Sequence, residues 1–153
     1  VLFRHYEPII QQASIFAIFI TLITGTAGNT GTQSLAVAIR KIGLHEEEQS
    51  FWKVLVQEGT TGLGIGLISG VMVFGIVSLW HGSLVLGGII GFAMFASIFV
   101  AALTGTCIPF ALEKFNFDPS IASGPFITTV NDLTSVLVYF TIVSQFISVY
   151  LAK

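Results

Sequence analysis

Charged residues fall in a few clusters along the chain, with long apolar runs between them. From Pro8 to Ile39 there is no Lys, Arg, Asp or Glu; Arg40, Lys41, His45, Glu46, Glu47, Glu48, Lys53 and Glu58 then crowd together. From Gly59 to Leu112 formal charge is again absent, a run about 80 Å long as helix at ~1.5 Å per residue. A hydrocarbon core is about 30 Å thick, so this run must cross it twice. The turn is expected at "LWHGS" (79–83), where Trp80 and His81 suit a membrane interface. After "EKFNFD" comes a last stretch, 119–152, with a single acid, Asp132. The pattern predicts four spans, over 9–39, 54–79, 84–112 and 120–151. Unpaired backbone is not tolerated in lipid, and runs this long fit helices rather than barrel strands. The expected fold class is all-α integral membrane with four transmembrane helices.

Composition strengthens that picture: 54% of the 153 residues are hydrophobic and 9% charged, against roughly 25% charged in soluble domains. A net charge of −2 argues against a nucleic-acid partner. The single cysteine, Cys107, cannot form an intrachain disulfide and reads as a small hydrophobe. The chain opens on Val1 with no basic segment ahead of a cleavage site, so a fragment of a longer protein is expected. Four spans put the 40–58 and 113–118 loops on one side, with Arg40, Lys41, Lys53 and Lys114 against Arg4 and Lys153 opposite. The positive-inside rule makes those loops cytoplasmic. "HEEEQ" reads as a solvated loop or helix start, or as a docking point for a cytoplasmic domain.

Two features do not belong in lipid. Asp132, in "FITTVNDLTSVLVYF", lies at membrane depth, where an acid costs at least ~2.5 kcal/mol and faces protein or water. Helical spacing puts Thr128, Asp132 and Ser135 on one stripe, with Pro125 and Thr129 beside it and Asn131 flanking. The residues allow a cation site or a neutral, hydrogen-bonded buried acid. The second feature is "TGTAGNTGTQS" (24–34), in which Gly25, Gly28 and Gly31 recur every three residues among Asn29, Thr30, Thr32, Gln33 and Ser34. Close helix packing would need the glycines but not the polar residues. The alternative is broken helix, its freed carbonyls facing a cavity. Carbonyls, hydroxyls and one acid form an oxygen donor set suited to a hard cation. His5, His45 and His81 fall near span ends, so a zinc-type cluster is not supported. One acid per chain compensates a divalent ion weakly; a two-fold dimer would bring two copies of Asp132 to one axis. Magnesium dehydrates reluctantly and would touch such a site largely through its waters.

"GTAGNTGTQSLAVAIR" and "DPSIASGPFITTVNDLTSVLVYF" resemble the two signature segments of the membrane domain of MgtE-type magnesium transporters, a family related to the solute carrier 41 proteins. The resemblance runs from about residue 14 to the C-terminus. It implies a homodimeric pore domain over 1–153, with the family's second to fifth helices present and its first helix, cytoplasmic N-terminal domain and CBS domains absent. It further implies Mg2+ as the transported ion, a plasma-membrane location, and a path between spans 9–39 and 120–151 of two subunits. On this likeness Asp132 holds a hydrated ion, Gly25, Gly28, Asn29 and Thr32 belong to the motif lining the same site, and Thr128 lies one turn below. Glu58 and Asp118 match positions of further magnesium binding or coupling to cytoplasmic regulatory domains. Thr32 stands where many relatives have Asn or Ser, Ala36 where some have Thr, and Ser135 where glycine is usual; these departures leave Mn2+, Co2+ and Ca2+ as alternative ions.

Three functions are thus in competition: a divalent-cation channel pore, a proton- or sodium-coupled secondary transporter, and a non-transporting assembly subunit whose glycines serve packing. An enzyme is not expected, because no Ser/His/Asp set, HExxH or GxSxG occurs.

Overall fold

The computed structural model describes residues 2–44, 50–122 and 124–151, with side chains described over 14–44, 50–122 and 124–147. His45, the acidic run 46–48 and Lys153 lie outside the described residues, as do the side chains of Arg4 and His5. Four long helices follow one another: α1 (Leu2–Gly43), α2 (Phe51–His81), α3 (Leu84–Lys114) and α4 (Pro125–Leu151), with a 3-10 turn at Pro119–Ala122. All four contain a segment long and apolar enough to cross a membrane, and no strand occurs among the described residues. The chain is a multi-pass membrane protein.

The second and third spans lie where the charge pattern predicts them. Gly82 ends α2 in a left-handed conformation, φ 64°, and Ser83 starts α3 by accepting a hydrogen bond from the Leu86 amide at 3.2 Å. A left-handed C-terminal glycine followed at once by a serine N-cap makes the tightest kind of helix-to-helix reversal. The fourth span begins later than expected, at Pro125 rather than 120. The segment before it is punctuated instead of helical: Asn116 has φ 60°, Pro119–Ala122 forms the 3-10 turn, and Gly124 has φ 42°. Pro125 then occupies the first helical position, where its missing amide hydrogen costs nothing.

The expectation of a broken helix over 24–34 is overturned: α1 runs unbroken through the segment. Threonine explains the continuity. Thr24, Thr26, Thr30 and Thr32 each donate their hydroxyl to the carbonyl four residues earlier, at 2.8–3.1 Å. Such back-bonding satisfies the side chain within its own helix, so a polar sequence remains helical at membrane depth without exposing unpaired backbone.

Helix α3 is central. It is apolar on every side and packs against α1, α2 and α4, whereas α1 and α2 barely touch. The main core joins Phe16, Ile23 and Ala27 of α1 with Ile90, Ala93, Met94 and Ile98 of α3 and Tyr139 and Val143 of α4. The Tyr139 hydroxyl donates to the Phe16 carbonyl at 2.7 Å in the buried core, a polar pin between α1 and α4. Helix α2 approaches α3 through Gly62, Gly66 and Gly70. A Cβ at Gly70 would come within 2.8 Å of the Gly91 carbonyl oxygen, and one at Gly66 within 3.0 Å of that of Phe95. Small residues spaced by four let helix backbones approach closely, and packing is the main force joining helices in lipid.

Candidate functional site

A helix turns about 100° per residue, so glycines every three residues precess about 60° per step. Gly25, Gly28 and Gly31 therefore do not share one face of α1; they spiral from its outside to its inside. A Cβ at Gly25 would meet nothing within 4 Å. At Gly28 it would lie 3.3 Å from Asp132 Oδ1, on α4. At Gly31 it would fall 2.6 Å from Cγ of Asn131 and 3.0 Å from the Ala101 carbonyl oxygen on α3.

The outer face of α1 is a continuous stripe at helical spacing: Ile18, Leu22, Gly25, Asn29, Gln33, Ala36 and Arg40 are all exposed. Its upper part is apolar and suits lipid. Its lower part presents an amide at Asn29 and another at Gln33, groups that lipid cannot solvate. Asp132 sits beside this polar part, half-buried, with its carboxylate over Gly28. Thr32, one turn below Gly28, is half-buried and its hydroxyl is used by the Gly28 carbonyl at 2.8 Å. Thr128, one turn before Asp132, is exposed and donates to the Gly124 carbonyl at 3.0 Å. Both hydroxyl oxygens keep acceptor capacity, so each can still receive a bond from an ion-bound water.

The predicted stripe on α4 is divided by the structure. Thr128 and Asp132 lie at the open side, but Ser135 is buried inside the bundle, 1% exposed, together with Asn131 at 0%. Spacing gave the right neighbours on the wheel but not the phase: Ser135 turns inward with Asn131 rather than outward with Asp132. Asn131 is the residue whose place the sequence pattern understates, and its adjacency to the acid is the signal that points to it. Gln33 is likewise drawn in by its spacing of four from Asn29.

Glu58 and Asp118 lie on other elements, and their settings differ. Glu58 is within α2 and 5% exposed, beside Gly59, which packs on Leu103 and Phe99 of α3. Asp118 is exposed in the α3–α4 connection, where Oδ1 accepts from the Ser120 amide at 2.9 Å. The Ser120 hydroxyl and amide together hold its carboxyl below the ordinary carboxylate range, so it stays ionised. Among the described residues, no three His, Cys, Asp or Glu side chains are grouped closely enough to hold a metal directly. The donors gathered at the α1–α4 face are one carboxylate, amides and hydroxyls, a set that fits an ion carrying its own waters.

Residues 20–142 match the family model of MgtE, described as a divalent cation transporter. The chain is similar to the magnesium transporter MgtE of Enterococcus faecalis, 51% identical over 95% of this chain and 32% of the relative. Similar proteins under the same name occur in Bacillus subtilis, 38% identical over 94% of this chain, and in Thermus thermophilus, 30% identical over 90%. The chain spans about a third of the length of these curated relatives. A family match over residues 20–142, together with relatives up to 51% identical across nearly the whole chain, assigns it: the chain belongs to the MgtE family of divalent cation transporters.

Proposed function

We propose that this chain is the pore-forming part of a homodimeric magnesium channel, with hydrated Mg2+ as cargo moving between α1 and α4 of two subunits. The observation that carries this reading is the exposed polar stripe of α1, Gly25, Asn29 and Gln33, running beside the half-buried carboxylate of Asp132. Such a stripe cannot face lipid and needs protein, water or both against it. A second copy related by a two-fold axis supplies both: it covers the apolar margins and encloses a wet path between the polar ones.

In this arrangement Asp132 attracts the cation, and the paired acids of two subunits compensate a double charge. Asn29, Thr32 and Thr128 accept from the ion's water shell, and Gly25 and Gly28 keep the path wide enough for a shell to pass. Since the protein replaces few of the waters, discrimination among Mg2+, Mn2+, Co2+ and Ca2+ rests on path width and outer-shell geometry, where Thr32 and Ala36 are the local variables. The domain lies in the plasma membrane with the Arg40–Lys41 and Lys114 ends in the cytoplasm. There Asp118, ionised and exposed, and Glu58, within α2, couple the pore to regulatory domains of the longer protein. An unbroken α1 removes the feature that most favoured a gradient-coupled transporter, whose sites are built from discontinuous helices.

The test is Mg2+ flux into liposomes. Asp132→Ala should lower the flux by at least about tenfold, ~1.4 kcal/mol in barrier terms, at equal amounts of folded protein. Wild-type flux from that variant would overturn the reading.

A further inference from the structure

Asn131 is completely buried, and among the described residues neither Nδ2 nor Oδ1 has a hydrogen-bond partner. Native interiors seldom hold an amide this way, and each instance calls for an explanation. Its location supplies one. The backbones of α1 and α3 meet at Gly31 and Gly105, where a Cβ at Gly105 would collide with the Gly31 carbonyl and lie 3.0 Å from its carbon. Above that crossing the bare backbone of Gly31 forms a notch, bounded on the α3 side by the Ala101 carbonyl. The Asn131 side chain of α4 fills it, since the Gly31 Cβ position is 2.6 Å from its Cγ.

A side chain seated in a notch fixes both the height and the rotation of its helix. The next residue on α4 is Asp132, about 100° round the axis, and its Oδ1 lies over Gly28, about one turn along α1 from Gly31. The two contacts are thus successive steps of one fit: Asn131 into Gly31, Asp132 over Gly28. Turning α4 by a single residue's angle would withdraw the carboxylate from the open face and put the amide in its place.

We propose that Asn131 is a positioning residue for the cation path: its side chain, keyed into the Gly31 notch at the α1–α3 crossing, sets the rotation of α4 that presents Asp132 at Gly28. The proposal rests on the reading of Asp132 as the ion site. The key acts by shape. Truncating it frees α4 to rotate, an apolar side chain with the same four heavy atoms branched at Cγ preserves the fit, and a methyl group at Gly31 expels it.

The test is Mg2+ uptake by the full-length protein in liposomes, measured against Mg2+ concentration and normalised to folded protein. Asn131→Ala should raise the half-saturating Mg2+ concentration by about tenfold or more while the maximal rate changes less, because the acid is misplaced rather than lost. Asn131→Leu, which keeps the bulk and removes an unpartnered amide, should fold normally and transport close to wild type. Gly31→Ala should impair uptake in the same way as Asn131→Ala, and joining the two in one chain should restore much of it, the methyl group having refilled the notch from the other helix. Wild-type half-saturation in Asn131→Ala overturns the proposal, as does a loss confined to the amount of folded protein. If Asn131→Ala does not fold, Asn131→Leu decides: a raised half-saturating concentration there overturns the role of shape. Asp132→Ala separates the two levels. Wild-type uptake from that variant fails the ion-site reading, whereas impaired Asp132→Ala alongside unaffected Asn131→Ala fails the positioning role alone.

Discussion

Helices α1 and α2 each carry a run of three glycines, and the two runs do opposite things. On α2, Gly62, Gly66 and Gly70 are spaced by four, stay on one face, and are all buried against α3. Their neighbours in sequence include Leu63, Leu67 and Ile68, exposed side chains that lipid solvates on the remaining faces. On α1, Gly25, Gly28 and Gly31 are spaced by three, wind round the helix, and reach respectively open space, a carboxylate and a helix crossing. Their neighbours are Thr, Asn and Gln. Spacing decides whether glycines make a flat contact or a spiral, and the residues between them decide whether the leftover surface suits lipid or water. The α2 run is a packing seam; the α1 run becomes one only at its Gly31 end.

Adding a side chain to the seam should have the largest effect. Gly70→Leu drives a branched side chain against the Gly91 backbone, already 2.8 Å from the Cβ position, and against Phe95 Cβ at 3.2 Å. The Gly91 backbone and a Cβ fixed to the Phe95 backbone cannot yield as a side-chain tip would, so α2 and α3 must separate. Overpacking of this kind costs about 1–3 kcal/mol or more. The expected result is a lower unfolding midpoint in detergent and less folded protein, with transport lost in proportion. A Gly70→Leu protein as stable as wild type would break the distinction, because it would show that the α2 glycines are not a contact surface.

At Gly28 the comparison predicts a functional rather than a structural loss. A methyl group there sits 3.3 Å from Asp132 Oδ1, a contact a flexible carboxylate can relieve by a small shift, and alanine is the better helix former. Gly28→Ala should therefore fold with wild-type stability while its Mg2+ flux falls by roughly tenfold, equivalent to ~1.4 kcal/mol. Melting curves and liposome flux on the same preparation separate the two terms. Equal losses in both would make Gly28 another packing glycine.

Much of this architecture was legible because charge is excluded from lipid: three runs nearly free of charge, the middle one long enough to cross twice, located the four helices, and Trp80 and His81 marked the turn at 79–83. The start of α4 was not legible from charge, since 119–124 is uncharged yet shaped by Pro119, Gly124 and Pro125. Continuity of α1 was hidden for a different reason. Threonine and glycine both suggest irregular backbone by composition, but threonine hydroxyls bond their own helix, and that outcome depends on the surroundings lacking water. Around the candidate site, the family resemblance rather than periodicity linked Gly28 to Asp132, and the structure sets the Asp132 carboxylate over Gly28. Helical spacing put Ser135 on the acid's stripe with Asn131 flanking, whereas both are buried, because the phase of α4 is set by its neighbours, above all by the crossing at Gly31 and Gly105. The α2 seam was legible in its spacing of four and was eclipsed by the more polar glycine run on α1.

Gly25 gives the smallest and most discriminating effect. Nothing lies within 4 Å of its Cβ position and its backbone is ordinary helix. In the folded chain Gly25→Ala should therefore be stabilising, by about 0.5–1 kcal/mol from the lower backbone entropy of the unfolded state. A packing glycine would respond with the opposite sign, so the direction of the shift in unfolding midpoint already separates this end of α1 from α2. Flux then asks what the open surface is for. If it borders a path for a hydrated ion, one methyl group per subunit narrows that path from two sides. The stabilised protein should then conduct less than wild type, by a smaller factor than Gly28→Ala because the added carbon stands farther from the carboxylate. A stabilised Gly25→Ala protein with unchanged flux would place the path elsewhere on α1 and leave Gly28 and Asp132 as its narrow part.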